Sequence, residues 1–599
     1  MAIGGVLLCA SAGGWNASAQ EKADSRPSSE SLLVRERIPA TPAERGVDSI
    51  KRLALPGADD WKTEIEADEA KHVLDAIGAV IKARRRPNAG DLAPHFVEGC
   101  RVPALRPDRF DDTIIAGTRV RRFQWGDVKQ KFNPADALTA LVEPHGDAAD
   151  LRIFFKVVTV NPAQEGQFTT GVYVELNSAD GPSGRVQQNA EWTVAWRSGE
   201  QGDPQCQGIT PIRMSEVHSS RPQFVDQIHR VIRDAEVWTP QLERGNDWWV
   251  GRVDALCGAS LIGSEGIAVG DVNGDGLDDL YVCMIGGLPN KLLVQQPDGT
   301  VRDTAAEAHV DWLDESRGAL LVDMDNDGDQ DLVVALESTI GFLENDGRGV
   351  FTPRRRYIMP PTNLGPFYSL AAADFDQDGD LDIYCSRYQK AGYFSYPPEP
   401  YYDANNGPSN HLLRNDGKGG IKDVTNEVGL DVNNRRFSVV ATWFDYDEDG
   451  DQDLYVANDF GRNNLYRNDG GRFTDVAVQA GAEDQASGMG ISWSDYDLDG
   501  DFDLLVSNMF SSAGRRITYQ PRSMAGDPEA DREALQRLAL GNTLLASDGK
   551  GRFTDRSEAA GIVLGRWAWG AMFVDINNDG YDDMVVPNGF ITGPSKDDL

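Results

Sequence analysis

The sequence predicts a mainly β protein: a β-propeller of six or seven blades preceded by a small α+β domain. Three observations carry that prediction. A nine-residue acidic motif recurs six times in the C-terminal half of the chain. Each copy precedes short apolar runs, most of them broken by an Asp-Gly turn. The region before the repeats follows a different pattern, helical periodicity first and alternating strands after it. Self-similarity at a fixed period signals a repeat architecture, and four short strands per unit of about 50 residues is the pattern of a propeller blade.

The chain has 599 residues, with 95 Asp and Glu against 58 Lys and Arg, a formal net charge of −37. That excess excludes nucleic acid and anionic membrane surfaces as partners. An apolar content of 40% is enough for packed cores.

The opening Met1–Trp15 is apolar and leads into Ala17-Ser18-Ala19, which predicts a signal peptide over residues 1–19, although no Lys or Arg precedes the run. Nowhere else is there an apolar stretch long enough for a membrane helix, so an exported, soluble chain without membrane insertion is expected. Residues 20–59, rich in Ser, Pro, Glu and Arg, read as a flexible leader.

Residues 60–220 form the predicted α+β domain. Ile65, Val73, Leu74, Ile77, Val80 and Ile81 recur at helical spacing up to Arg84-Arg85-Arg86-Pro87, and a second helix is expected near Pro134–Leu141. Four strand-like runs follow, Leu151–Val160, Phe168–Leu176, Arg185–Trp196 and Ile209–Val217, separated by turn residues. This order resembles the cone-shaped NTF2-like fold, which often holds a ligand pocket. Trp192 and Trp196 lie four apart on a strand and share a face, where core packing is the expected role. Residues 221–255 read as a connector ending in a strand that closes the propeller, and residues 256–599 as the propeller. Of six cysteines, five remain after signal removal, which is no disulfide framework. Cys100 and Cys206 are a possible pair. Cys283 and Cys385 sit in apolar strand patterns and read as buried thiols.

The repeated motif is Asp-x-Asp/Asn-x-Asp-Gly-x-x-Asp. Its candidate ligands are Asp271, Asn273, Asp275, Leu277 (through its carbonyl) and Asp279 in the first copy, and Asp323, Asp325, Asp327, Asp329 and Asp331 in the second. The third offers Asp374, Asp376, Asp378, Asp380 and Asp382, and the fourth Asp445, Asp447, Asp449, Asp451 and Asp453. The fifth offers Asp495, Asp497, Asp499, Asp501 and Asp503, and the sixth Asp575, Asn577, Asp579, Tyr581 (carbonyl) and Asp583. Ca²⁺ is a hard cation that takes six to eight oxygens. A tight curl brings the oxygens of positions 1, 3 and 5 together, Gly at position 6 permits the bend, and Asp at position 9 closes the site. Up to six Ca²⁺ ions are expected; Mg²⁺ suits an all-protein oxygen cage less well. An EF-hand would need a bidentate Glu at position 12 and flanking helices. Position 12 here is Val282, Val334, Cys385, Val456, Val506 and Val586, all apolar strand residues.

These repeats resemble FG-GAP/VCBS repeats, the calcium-binding blades also found in integrin α-subunits. Stretches such as Asn464-Leu465-Tyr466-Arg467-Asn468-Asp469-Gly470 and Gly488-Met489-Gly490-Ile491-Ser492-Trp493-Ser494-Asp495 are similar to the CRTAC1-like (ASPIC/UnbV) extracellular proteins. The resemblance spans about residues 250–599. It implies an integrin-α-like propeller with calcium between the first two strands of each blade, and an extracellular binding or adhesion role. The family often ends in a further domain and is usually seven-bladed, whereas six loops are readable here. Trp249–Asp254 follows the pattern of Arg552-Phe553-Thr554-Asp555 and is expected to add the missing outer strand to the last blade.

Two insertions, Tyr393–Pro408 and about Phe510–Leu540, are the expected specificity surfaces, with Tyr396, Tyr401, Tyr402, Arg515 and Arg516 as candidate partner contacts. The seven histidines form no metal spacing, and His411 in a blade strand is the one candidate ligand among them. No Gly-x-Ser-x-Gly, His-Glu-x-x-His or P-loop motif is present. Two functions follow. The first is a secreted, non-catalytic scaffold for an extracellular protein or matrix partner. The second is a carbohydrate-active propeller, a polysaccharide lyase or lectin.

Overall fold

The computed structural model describes residues 62–589 apart from 116, 126–129, 165, 182–183, 200–201, 223, 234–237, 246–247, 250, 254–264, 360–364, 389–396 and 521–528. The expected signal peptide and leader, Tyr396, Cys9 and Cys257 lie outside the described residues. The chain divides into two compact units, Met1–Val225 and Asp226–Leu599.

In the first unit the helix Lys62–Ala83 buries Ala70, Val73, Leu74, Ile77 and Ile81. Its Gly78 permits a close approach, since a Cβ there would lie 3.1 Å from the Phe155 ring. A second helix, Pro134–Val142, starts with Asn133 capping the Asp136 N–H. The sheet has six strands rather than the four expected: β1 (Phe110–Ile115), β2 (Thr118–Phe123), β3 (Arg152–Pro162), β4 (Gln167–Gly181), β5 (Gly184–Arg197) and β6 (Gln205–Ser219), in the order β1-β2-β6-β5-β4-β3. The first two escape the sequence reading because β1 is exposed along most of its length and carries no buried alternation. β4 and β5 alternate buried and less buried residues, so one face is core. Trp192 and Trp196 are both buried in it, and the Trp196 indole donates to Thr170 Oγ1 at 2.9 Å. Cys100 and Cys206 are buried free thiols.

The second unit is a series of antiparallel sheets. The first holds β7 (Ile267–Gly270), β8 (Asp279–Val282), β9 (Lys291–Gln295) and β10 (Val301–Asp303). The second holds β11 (Ser316–Val322), β12 (Asp331–Leu336), β13 (Thr339–Asn345) and β14 (Phe351–Ile358). The third holds β15 (Ser369–Ala373), β16 (Asp382–Ser386), β17 (His411–Asn415) and β18 (Ile421–Asp423). The fourth holds β19 (Ser438–Phe444), β20 (Asp453–Asn458), β22 (Asn464–Asn468) and β23 (Phe473–Asp475), with β21 (Gly461–Arg462) pairing β24 (Gln485–Ala486) beside it. The fifth holds β25 (Gly488–Ser494), β26 (Asp503–Asn508), β27 (Thr543–Ser547) and β28 (Phe553–Asp555). A sixth has two strands among the described residues, β29 (Met572–Val574) and β30 (Asp583–Val585). The first strands of successive sheets pack side by side, β7 on β11, β11 on β15, β15 on β19, β19 on β25 and β25 on β29. The second strands of the second to fifth sheets, β12, β16, β20 and β26, are buried throughout. Cys283 and Cys385 are buried thiols in these sheets.

Among the described residues of Trp249–Asp254, the expected closing strand is not seen. Val253 N–H bonds the Trp249 carbonyl at 2.9 Å, a helical turn, and the Trp249 indole donates to the Gln241 carbonyl at 3.3 Å. Arg252 lies over the Trp248 ring, which favours that turn over an extended strand.

Candidate metal centres

Each acidic motif connects the first strand of a sheet to the second. The loop is shaped by its own carboxylates. In the second copy Asp323 accepts from Asp327 N (3.2 Å) and Gly328 N (3.0 Å), and Asp327 accepts from Asp329 N (3.0 Å). The same bonds recur at Asp271, Asp374, Asp445, Asp495 and Asp575. Gly328, Gly379, Gly450, Gly500 and Gly580 take φ between 89° and 100°, which a side chain would resist. Position 9 closes the curl. Asp331 accepts from Met324 N at 3.0 Å and from Asn345 N at 2.8 Å, joining the loop to the third strand.

This folding brings together one carboxylate oxygen from each of positions 1, 3 and 9 in four loops, all within 4.8 Å: Asp323–Asp325–Asp331, Asp374–Asp376–Asp382, Asp445–Asp447–Asp453 and Asp495–Asp497–Asp503. In the first and sixth loops position 3 is Asn273 or Asn577, and the Asn577 amide lies 3.3 Å from Asp583. Three position-3 oxygens, Asp376 Oδ1, Asp447 Oδ1 and Asn577 Oδ1, are buried and accept no hydrogen bond. Buried acceptors are normally satisfied, so an oxygen ring with unfilled capacity fits a hard cation. Burial pushes the position-9 carboxyls up, and neighbouring loop aspartates add to the rise against their backbone hydrogen bonds. Asp279, Asp331 and Asp503 reach about 6, and Asp382 and Asp453 about 7. Three carboxylates crowded at positions 1, 3 and 9 favour a positive guest.

The side chains of positions 5 and 7 are not in these clusters. Position 5 (Asp275, Asp327, Asp378, Asp449, Asp499, Asp579) caps the loop's own backbone at position 7. Position 7 faces neighbouring elements. Asp380 accepts from Asn326 of the preceding loop at 2.8 Å, and Asp451 accepts from Gln377 at 2.8 Å and from Gly470 N at 2.7 Å. Asn326 and Gln377 sit at position 4 of their loops, with φ of 61° and 57°. A second link uses the asparagine that ends a third strand. Asn345, Asn415 and Asn468 each donate at 2.8 Å to a position-2 carbonyl of the preceding loop, from Val272, Met324 and Phe375. Sequence reasoning missed both links, although the asparagine before Asp-Gly in three repeats was a visible signal.

His411 is engaged internally: its Nδ1 lies 2.7 Å from Asp423, which also accepts from Tyr357 OH at 2.9 Å. The first insertion is anchored to the fourth sheet. Asp403 pairs with Arg436 (2.7 Å) and Arg462 (3.0 Å), and Tyr401, still 56% exposed, packs on Phe460. Gln485 donates to the Tyr402 carbonyl at 3.1 Å. Arg515 and Arg516 are half-buried on the helix Ser512–Thr518, with Arg515 over Phe510.

Residues 323–385 and 445–506, which hold the second to fifth loops, match the FG-GAP-like repeat family model. The chain carries FG-GAP-like repeats. Over 129 residues it is 31% identical to cartilage acidic protein 1 of Xenopus tropicalis, a match covering 20% of this chain and 19% of that protein, so the chain spans about a fifth of its relative's length. A crystal structure of BBS1N in complex with ARL6DN, soaked with lead, aligns at TM-score 0.25 and 13% identity over 41% of this chain and 64% of its own; at that score it carries no argument. Among the described residues, no helix is long and apolar enough to cross a membrane.

Proposed function

We propose that the chain is a secreted, calcium-stabilised β-propeller that serves as a binding scaffold for an extracellular protein or matrix partner, without catalysis of its own. The observation that carries this reading is the convergence of position-1, -3 and -9 oxygens in loop after loop, with buried position-3 oxygens that accept no hydrogen bond. Positions 1, 3 and 9 would hold Ca²⁺, which supplies the positive charge that the crowded carboxylates lack. The chain's own residues do the rest. Position 9 ties the loop to its third strand, and the asparagine links tie one sheet to the next. The insertions bearing Tyr401, Tyr402, Arg515 and Arg516 are the proposed partner surface, because they are long segments mounted on a rigid frame.

Titration of metal-stripped protein with Ca²⁺, followed by calorimetry and thermal unfolding, tests the metal reading. Saturable binding of several ions with a rise in Tm is expected, since a ligand that binds only the folded state stabilises it. An unchanged Tm at millimolar Ca²⁺ removes it. Pulldown from extracellular fluid, with wild-type protein and a variant lacking the first insertion, tests the partner surface.

A further inference from the structure

The junction between the fourth and fifth loops lacks both amide links found at the two junctions before it. Asn326 and Gln377 occupy position 4 of the second and third loops and reach the next loop's position-7 carboxylate. The fourth loop has Glu448 there, which has no N–H to give Asp501. Asn415 and Asn468 end the third strands of their sheets and reach back to the preceding loop. The fifth sheet has Ser547 there, whose hydroxyl turns to Gly549 N at 3.2 Å. Where the links are missing a recess of about 180 Å³ opens, with an aromatic wall of Phe444, Tyr446 and Phe502, the carboxylates of Glu448 and Asp501, Ser547 and Gly549, and at its edge Asp445 of the fourth acidic loop. Phe502 is 49% exposed and packs tilted against Phe444 at 4.9 Å, and Phe444 is itself stacked on Trp493 at 4.7 Å. Arg467, the neighbouring cation, is turned to Asp469 at 3.1 Å.

We propose that this recess receives the guanidinium of an arginine side chain presented by a protein partner. The proposal rests on the scaffold reading above and gives the partner a chemistry. A planar guanidinium stacks on aromatic rings and forks its N–H groups to carboxylates, which an ammonium does less well. Pockets for whole small molecules run to roughly 300–1,000 Å³, so this recess fits one side chain. Glu448 and Asp501 supply the negative charge on its rim.

The probe is an acetylated, amidated pentapeptide Gly-Gly-Arg-Gly-Gly, with its neutral citrulline counterpart as control, added to full-length protein in saturating Ca²⁺. Saturation-transfer NMR is read on the side-chain methylene protons. Transfer to the arginine peptide and none to the citrulline peptide is expected. Glu448→Gln installs the amide that Gln377 provides at the preceding junction, and should reduce transfer to the citrulline level while keeping the fold. Ser547→Asn should act the same way from the opposite wall, and serves if E448Q misfolds. Glu558→Gln, the same charge change at a distant exposed site, should leave transfer unchanged. Equal transfer to both peptides, undiminished transfer in both E448Q and S547N, or an equal loss in E558Q overturns the proposal. The Ca²⁺-induced Tm rise, measured on the same samples, separates this outcome from failure of the metal reading: it persists in E448Q if only the recess is wrongly assigned.

Discussion

The Asn468 side-chain amide, at the end of β22, donates 2.8 Å to the carbonyl of Phe375, in the acidic loop of the preceding sheet. The same amide reaches Gln452 O at 3.1 Å, and the Asn468 backbone N–H reaches Asp453 at 2.7 Å. One residue therefore joins two loops and a position-9 carboxylate.

Asn468→Ala is expected to lower stability by about 1–3 kcal/mol, because it leaves buried carbonyls without a donor. Urea unfolding followed by circular dichroism reads this as a lower midpoint with an unchanged slope. Asn468→Ser, which reproduces the residue naturally present at Ser547, should cost nearly as much, since its hydroxyl is too short to span the junction.

Glu216 is the most heavily paired buried acid of the first unit. It accepts from Arg106 (2.7 and 2.9 Å), Arg121 (3.2 Å) and Gln188 (2.7 Å), and lies 2.6 Å from His218 Nε2. Burial pushes its carboxyl up, but the bonds from His218, Arg106 and Gln188 hold it well below its ordinary 4.5. A depressed acid contributes stability that is present above its unfolded value and drains away as pH falls below it. Glu216→Gln should cost about 2–4 kcal/mol at neutral pH by leaving the partly buried Arg106 and Arg121 without their carboxylate. The gap between wild type and variant should narrow below pH 4.5 in urea midpoints taken from pH 3 to 7. A gap constant across that range would show that the charge is not the source.

Trp192 and Trp196 test how much of the core is polar bonding. Both are buried, but the Trp196 indole has Thr170 as partner while Trp192 Nε1 has no hydrogen-bond partner. Trp196→Phe should cost about 1–3 kcal/mol more than Trp192→Phe, read from paired urea curves.

The acidic loops, their place between first and second strands, and most strands of the repeats were legible because each repeat restates the same local physics. Asp at positions 1 and 5 bonds the loop's own N–H groups, and Gly at position 6 takes the positive φ. Tertiary relationships were less legible. The links from Asn326, Gln377 and Asn468 connect residues 53 to 93 apart in sequence, and no local pattern encodes that distance. Trp249–Asp254 matched the pattern of Arg552-Phe553-Thr554-Asp555, yet the Arg252 and Val253 N–H groups both turn back to the Trp249 carbonyl, and Arg252 lies over Trp248. β1 was hidden because its side chains are mostly exposed and give no alternation to read.

On the proposed metal reading, the position-9 carboxyls would couple ion binding to pH. Asp279, Asp331 and Asp503 sit at about 6, and Asp382 and Asp453 at about 7, against an ordinary 3.8. A raised acid contributes stability that is fully present below its unfolded value and is lost as pH rises through its folded value. Metal-free protein should therefore lose stability between pH 5 and pH 8. Calcium must displace any proton on these oxygens, so its stabilising effect should grow over the same interval. Differential scanning calorimetry with EDTA or with excess Ca²⁺, at pH 5, 6, 7 and 8, is expected to show a widening Tm difference. Titration calorimetry in buffers of different ionisation enthalpy should show proton release near pH 6 that vanishes by pH 8. A Tm difference that stays flat with pH would mean that the position-9 carboxylates are not ligands, and would leave the ring of positions 1 and 3 too poor in oxygens to hold the ion.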